Sequence, residues 1–302
     1  MHYFLLHALA AEWDASLRGA LLADAWSQSQ NELSLRFETP EAAWTVRVVC
    51  DGALPLLFRS EGAGRARRNT ASLFEGAMGR TVAGVRTAER DRFVFVDLAD
   101  GTALQARLFG ARPNVWWVDG EGTVQEAFLN GDEGEGDPAP SPRPAPEVPA
   151  FEAFEKRWRS TRKTLGQAVA VAVPLFNRSL AEEAARRAGL DPASDPSEAG
   201  ETERHRLFDA SRALMRDLAR PRPVIYWRGE HAEHLALLPL TDPPSAWRAE
   251  PFESVDAAQR VWARRRLAQR RFDAVCRPLD AALEAAHRKR VRSAEAMLEE
   301  IG

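Results

Sequence analysis

Apolar positions in the first 130 residues switch period, and then repeat the switch. Leu5, Leu9, Trp13 and Leu17 recur at helical spacing before short apolar runs at Leu33 to Phe37, Trp44 to Cys50 and Leu54 to Phe58. Leu73, Phe74 and Met78 then recur at helical spacing before runs at Phe93 to Leu98, Ala103 to Phe109, Val115 to Val118 and Val124 to Phe128. A helical period predicts an amphipathic helix, and short apolar runs bounded by turn residues predict strands. Asp100-Gly101 and Asp119-Gly120 are the predicted tight turns. Two helix-plus-antiparallel-sheet halves are therefore expected to form one α+β domain, their sheets curving against each other.

A direct repeat underlies this pattern. GALLADAWSQSQNELSLRF, from Gly19 to Phe37, lies over GRTVAGVRTAERDRFVFVD, from Gly79 to Asp97, at a constant offset of 60 residues. Asn31-Glu32 then occupies the place of Asp91-Arg92, so the second copy alone sets an acid beside a base at the entrance to its strand. The pair reads either as a solvated turn or as a recognition site.

Beyond residue 130 the pattern changes. Residues 131–150, GDEGEGDPAPSPRPAPEVPA, hold six prolines and almost no apolar bulk, and predict a proline-stiffened linker that is acidic at its start. Phe151 to Val173 predicts one helix with a basic side of Lys156, Arg157, Arg159, Arg162 and Lys163. After Pro174 a second helix is expected, with Ser179 and Glu182 at capping-box spacing and Gly189 as its stop. An acidic loop, a helix over 203–218 and a hairpin of 224–227 with 234–238 follow. The tail from Glu253 carries an incomplete apolar stripe, and Pro278 is expected to divide it into two helices.

Composition narrows the chemistry. The 302 residues are 45% apolar and 28% charged, ordinary values for a globular chain. No apolar run is long enough to span a bilayer, so no membrane partner is expected. The apolar start is broken by Glu12, Asp14 and Arg18 and has no basic segment ahead of it, so it does not read as a secretory signal, and a cytoplasmic protein is expected. Cys50 and Cys276 stand apart from any metal-ligand spacing and read as neutral thiols. His231 and His234, three apart on a predicted hairpin, fall on opposite faces and make a poor metal pair. No nucleophile elbow, phosphate loop or dinucleotide fingerprint occurs, and no cofactor, metal or catalytic residue is expected.

Charge is unevenly placed. The net charge of −3 excludes a uniformly basic binder, yet residues 259–292 hold eleven Lys and Arg against three acids. Arg264, Arg265, Arg266, Arg270 and Arg271 lead that segment, and Arg65, Arg67 and Arg68 form a second cluster on a glycine-containing loop. Such clusters are what a phosphate-tracking surface needs, and equally what the solvated face of a coiled coil carries.

The order of these parts resembles the N-terminal portion of the NFACT family, bacterial ribosome quality-control factors formerly labelled fibronectin-binding protein A-like. The resemblance rests on LLADAWSQSQNELSLRF, GRTVAGVRTAERDRFVFVDLADG, LFGARPNVWWVDGEGTVQEAFLN, VPLFNRSLAEEAARRAGLD and FESVDAAQRVWARRR, in that serial order. It implies a glycosylase N-domain-like α+β domain at 1–130, the linker at 131–150, a helix-hairpin-helix-like module at 151–200, a helix and hairpin at 201–252 returning to the first domain, and the start of a coiled coil at 253–302. It also implies a non-enzymatic RNA-binding factor that engages tRNA and obstructed large ribosomal subunits carrying peptidyl-tRNA, and promotes alanine tailing of stalled chains. Asp91 and Arg92 match the family's tRNA-engaging pair, and the basic clusters are expected on RNA phosphates. The family's basic segment before the second repeat is replaced here by Asn69 to Met78, and its C-terminal RNA-binding domain lies outside this sequence. Alternatives are a DNA-lesion-binding or glycosylase-like protein, or an adhesin-like binding module without tailing. Glycosylases of this type attack through an amino-terminal proline, and here His2 and Tyr3 follow Met1.

Overall fold

Helical spacing at the start of the chain produces α1, Tyr3–Leu17, which buries Leu5, Leu6, Leu9, Ala10, Trp13 and Leu17 along one side. The computed structural model describes residues 1–60, 64–130, 133–158 and 164–301. Ten strands follow α1: β1 (Leu21–Ser29), β2 (Glu32–Glu38), β3 (Ala43–Val49), β4 (Leu56–Ser60), β5 (Ala71–Ser72), β6 (Val82–Thr87), β7 (Phe93–Leu98), β8 (Ala103–Arg107), β9 (Asn114–Val118) and β10 (Val124–Ala127). They form two antiparallel five-stranded sheets, in the orders β4-β3-β2-β1-β5 and β10-β9-β8-β7-β6. Leu22, Leu33, Phe37 and Val46 of the first sheet share one core with Val82, Val94, Leu104 and Val115 of the second and with α1. The mixed helix and antiparallel-sheet class is as expected.

The 60-residue repeat is carried into the backbone. Gly19 and Gly79 both adopt left-handed φ, +83° and +75°. The N–H of Gly19 donates to Val82 O at 2.9 Å and that of Gly79 to Leu22 O at 2.8 Å, while Val82 N donates to Ala20 O at 2.8 Å and Leu22 N to Arg80 O at 2.9 Å. Each bond maps onto its mate at the repeat offset, so the two sheets join across a local two-fold. Both opening strands also shift register at equivalent places, between Leu22 and Asp24 and between Val82 and Gly84. Such irregularities break the two-residue period, which is why the sequence pattern named neither β1 nor β6. Gly84 has a further role: Asp14 Oδ1 accepts the Val85 N–H at 2.8 Å, and a Cβ on Gly84 would stand 3.1 Å from that oxygen.

The repeat is incomplete at its helix. Leu73 to Met78 was expected to be helical, but it forms only a single 3-10 turn, Glu75–Ala77. Buried Phe74 sits at φ +54°, outside helical backbone, with its N–H held by Glu126 at 2.7 Å. The predicted turn at Asp119-Gly120 is longer than two residues: Gly122 takes the left-handed conformation, and Asp119 accepts the N–H groups of Glu121 and Thr123, both at 2.9 Å.

The second half is helical. α2 (Phe151–Trp158), α3 (Leu165–Ala172), α4 (Arg178–Arg187) and α5 (Glu201–Asp217) precede a three-stranded sheet of β11 (Val224–Arg228), β12 (His231–Ala236) and β13 (Arg248–Pro251), ordered β12-β11-β13. The single helix expected over 151–173 is two. Thr164 takes an extended cap conformation and closes a capping box with Gln167, which starts α3 afresh. Arg159, Arg162 and Lys163 of the expected basic side lie outside the described residues. Asn177, rather than Ser179, caps α4, accepting the Leu180 N–H at 3.0 Å. Gly189 ends that helix at φ +73°, as its position predicted.

The last element, α6 (Val255–Ile301), runs unbroken through Pro278. The expected division fails because this stretch is exposed: the carbonyl that Pro278 leaves without a donor can be solvated. The start of α6 is docked on the first half. Glu12 accepts the N–H groups of Val255 and Asp256, each at 2.8 Å, and Trp13 Nε1 donates to Asp256 at 2.9 Å. Further along, Phe272, Val275, Leu279 and Leu283 are exposed. No described helix is long and apolar enough to cross a membrane.

Candidate nucleic-acid interface

The turn from Ala88 to Arg92, between β6 and β7, places the acid and base pair at the mouth of a cleft. Ala88 N donates to Phe93 O at 3.0 Å, and Arg90 occupies left-handed backbone at φ +53°. That conformation is uncommon outside glycine, and here the guanidinium is tied down: Arg90 Nε donates to Ala145 O at 2.7 Å and its Nη2 to Pro146 O at 2.5 Å. Ala145 N returns a bond to Arg90 O at 2.9 Å. The described part of the proline-rich segment is thus held along the second sheet by hydrogen bonds, while Ala139 and Val148 pack against apolar clusters. Gln105 Nε2 reaches Pro140 O at 2.7 Å, and Val124 N reaches Asp137 O at 2.9 Å.

Asp91 and Arg92 do different work. One carboxylate oxygen of Asp91 accepts the Arg92 N–H at 2.7 Å, and the other accepts the Arg143 N–H at 2.6 Å, so the side chain clasps the turn to the proline segment. The Arg92 guanidinium stands 4.3 Å from the ring centroid of Phe109. Among the described residues it has no ion pair. Burial pulls its pKa down from the usual arginine value, opposed by the Asp91 charge. An aromatic face supports the cation without consuming its N–H donors.

The cleft has a volume of about 700 Å³ and gathers residues from across the chain. Besides the 90–92 turn its walls include His2, Asn177, Ser179, His234 and Trp262. Burial, then the Met1 ammonium, His234 and Arg92, press the His2 imidazole down to about 3. It is therefore neutral at neutral pH, and its Nδ1 has no hydrogen-bond partner among the described residues. Burial also lowers His234, with Glu182 opposing. The N-terminus of α4 opens here through Asn177 and Ser179, adding the positive end of a helix.

The basic clusters lie elsewhere. Arg65 is engaged in structure: it donates to Asp24 at 3.2 Å, to Thr70 at 3.2 Å and to Ser72 at 2.7 Å, tying the 65–72 loop to β1. Arg67 and Arg68 are exposed beside it. On α6, Arg264 is exposed, Arg265 lies 5.6 Å from the Trp227 ring and Arg266 5.9 Å from Trp262. Arg270 pairs with Asp51 and Arg271 with Glu32 at 3.2 Å, so these two fasten α6 to the first sheet. The hydrogen bond from Arg270 lowers the pKa of Asp51. Only Asp91 and Arg92 of the expected RNA-binding residues line the cleft.

His2, Arg90, Asn177, His234 and Trp262 were not read as site residues. Arg90 directly precedes the Asp91-Arg92 pair, but its left-handed backbone is uncommon for arginine and has no sign in the sequence. The others are brought in by long-range packing, for which local pattern carries no sign. No group of three or more described His, Cys, Asp or Glu residues could hold a metal ion.

Structural comparison identifies the fold. The N-terminal part of the fibronectin/fibrinogen-binding protein from Streptococcus suis superposes with a TM-score of 0.62 at 14% identity, over 86% of this chain and 98% of that one. The fibrinogen-binding protein from Staphylococcus aureus superposes with a TM-score of 0.63 at 10% identity, over 85% and 98%. The chain has the fold of these N-terminal domains. At such identities the likeness speaks for fold alone. No protein-family model and no curated protein matches the sequence.

Proposed function

We propose that this protein is a non-enzymatic, RNA-binding factor of the NFACT type, which engages tRNA and obstructed large ribosomal subunits and promotes alanine tailing of stalled nascent chains. One observation carries the site: Arg92 is exposed, without an ion pair among the described residues, on the wall of a 700 Å³ cleft beside a helix N-terminus. Phosphate is the ligand chemistry such a donor fork fits. The serial resemblance to the family supplies tRNA as the phosphate's source. Asp91 supports the site by fixing the turn, and the arginines of α6 add sequence-independent attraction to RNA.

The test is binding of labelled tRNA by fluorescence polarisation. Joint replacement Asp91→Ala with Arg92→Ala removes a charge-assisted contact of about 1.5–3 kcal/mol, a loss of roughly tenfold to a hundredfold in affinity. Unchanged binding eliminates the site. RNA cross-linked to the protein in cells should be enriched in tRNA and large-subunit rRNA, and an unselective RNA population would remove the ribosomal part of the reading. A second reading, adhesion to fibronectin or fibrinogen, is suggested by the names of the structural neighbours. Surface plasmon resonance on immobilised fibronectin and fibrinogen decides it.

A further inference from the structure

Three arginines and one acid stand among the described residues of the main cleft's wall, in a chain whose net charge is −3. The acid, Asp91, gives both carboxylate oxygens to backbone N–H groups, of Arg92 at 2.7 Å and of Arg143 at 2.6 Å. One carboxylate therefore sets two arginines from distant parts of the chain on the same wall. Arg90 is already taken, by the carbonyls of Ala145 and Pro146. Arg143 is exposed, and among the described residues its side chain has no hydrogen bond or ion pair.

The backbone around Arg143 is fixed on both sides. Upstream, Pro140 O accepts Gln105 Nε2 at 2.7 Å. Downstream, Ala145 N donates to Arg90 O at 2.9 Å while Ala145 O accepts Arg90 Nε at 2.7 Å. Arg143 itself stands between Pro142 and Pro144. Proline fixes its own φ and keeps the residue before it extended, so little backbone freedom is left for binding to remove. A proline-rich segment read from sequence as a linker thus carries a cation to the Arg92 turn on a stiff, anchored backbone.

We propose that Arg143 is a second phosphate-binding residue of the cleft, and that the 140–146 segment serves to hold it there, so that Arg92 and Arg143 together grip the phosphate backbone of the bound RNA. This deepens the RNA reading and rests on it. Two guanidiniums, with no acid of their own among the described residues, suit a run of phosphates. Asp91 is then the positioning residue for both arginines.

Fluorescence polarisation of labelled tRNA over a series of salt concentrations tests the proposal. Arg143→Ala keeps the backbone N–H that Asp91 holds, and should weaken binding roughly tenfold with an unchanged thermal midpoint. The slope of log affinity against log salt should become shallower by about one in Arg143→Ala and by about two when Arg92→Ala is added. Arg143→Lys, which keeps the charge, should retain the wild-type slope. Pro142→Gly with Pro144→Gly keeps both cations and should lose affinity a few-fold at an unchanged slope. Wild-type affinity and slope in Arg143→Ala, where Arg92→Ala does weaken binding, overturns this inference and leaves the RNA reading standing. If neither single variant weakens binding, both are overturned. A fall in thermal midpoint in Arg143→Ala at an unchanged slope makes Arg143 structural and overturns the proposal. Adenosine triphosphate binding that requires Arg143, beside tRNA binding that does not, assigns the residue to a free nucleotide and overturns the assignment to RNA.

Discussion

The turns at residues 31–32 and 91–92 occupy the same place in two copies of one fold, and each opens on a cavity, of about 380 Å³ in the first copy and 700 Å³ in the second. Their charges have opposite fates. Glu32 is closed off by Arg47 and by Arg271 of α6, and Asn31 spends its carbonyl on the Cys50 N–H at 2.8 Å. Burial pushes the neighbouring Cys50 thiol up to about 12, which leaves it protonated and unreactive. Arg92 has an aromatic face beneath it and no acid of its own among the described residues. A position that is ion-paired in one copy thus has no ion pair in the other among the described residues, because Arg47 and Arg271 of α6 reach the first turn.

Reversing the charge at each turn should separate the two roles. Arg92→Glu should weaken tRNA binding by about a hundredfold while leaving the thermal midpoint nearly unchanged, since no ion pair is lost. A large fall in midpoint would instead make Arg92 structural. Glu32→Arg should do the opposite, costing on the order of 2 kcal/mol in urea unfolding, because it sets a third cation against two arginines in a partly buried position. Its tRNA affinity should hold within a factor of about two; a larger loss would show that the first turn also contacts RNA.

Smaller effects probe what keeps the copies unequal. Glu12→Ala removes the acceptor for two N–H groups at the start of α6 and should cost about 1 kcal/mol, as loss of a helix cap does. Amide exchange at 255–258 should accelerate; exchange at the wild-type rate would place the anchoring of α6 elsewhere. His2→Phe acts through pH. Unfolded histidine takes up a proton near 6.5 and folded His2 only near 3, so between those values the unfolded state holds more protons and stability falls as pH falls. His2→Phe should flatten that decline between pH 7 and pH 4, and an equally steep decline would mean that His2 is protonated in the folded protein.

Much of the fold was legible wherever the physics is local. The 60-residue offset was visible because Gly19 and Gly79 must both enter left-handed turns and because β2 and β7 keep their apolar runs. Gly189 ends α4 for the same local reason. Reading failed where a local signal was weak or overruled. β1 and β6 were hidden by bulges, Thr164 was not recognised as a new cap, and Pro278 does not stop a solvated helix.

The site divides along the same line. Asp91 and Arg92 stood out in the sequence because the repeat supplies an internal control, Asn31 and Glu32, at the equivalent turn. Which of the two is open could not be read there, since that depends on Arg271 reaching Glu32 across 239 positions and on the Asp91 carboxylate reaching Arg143 across 52. The chain by itself determined the two sheets, their offset and the unusual charge pair. Tertiary structure decided that Asp91 clasps a backbone and that Arg92 rests on Phe109 without an ion pair among the described residues. Periodicity and turn chemistry act over a few residues, whereas ion pairing, desolvation and cavity shape depend on groups that only folding brings together.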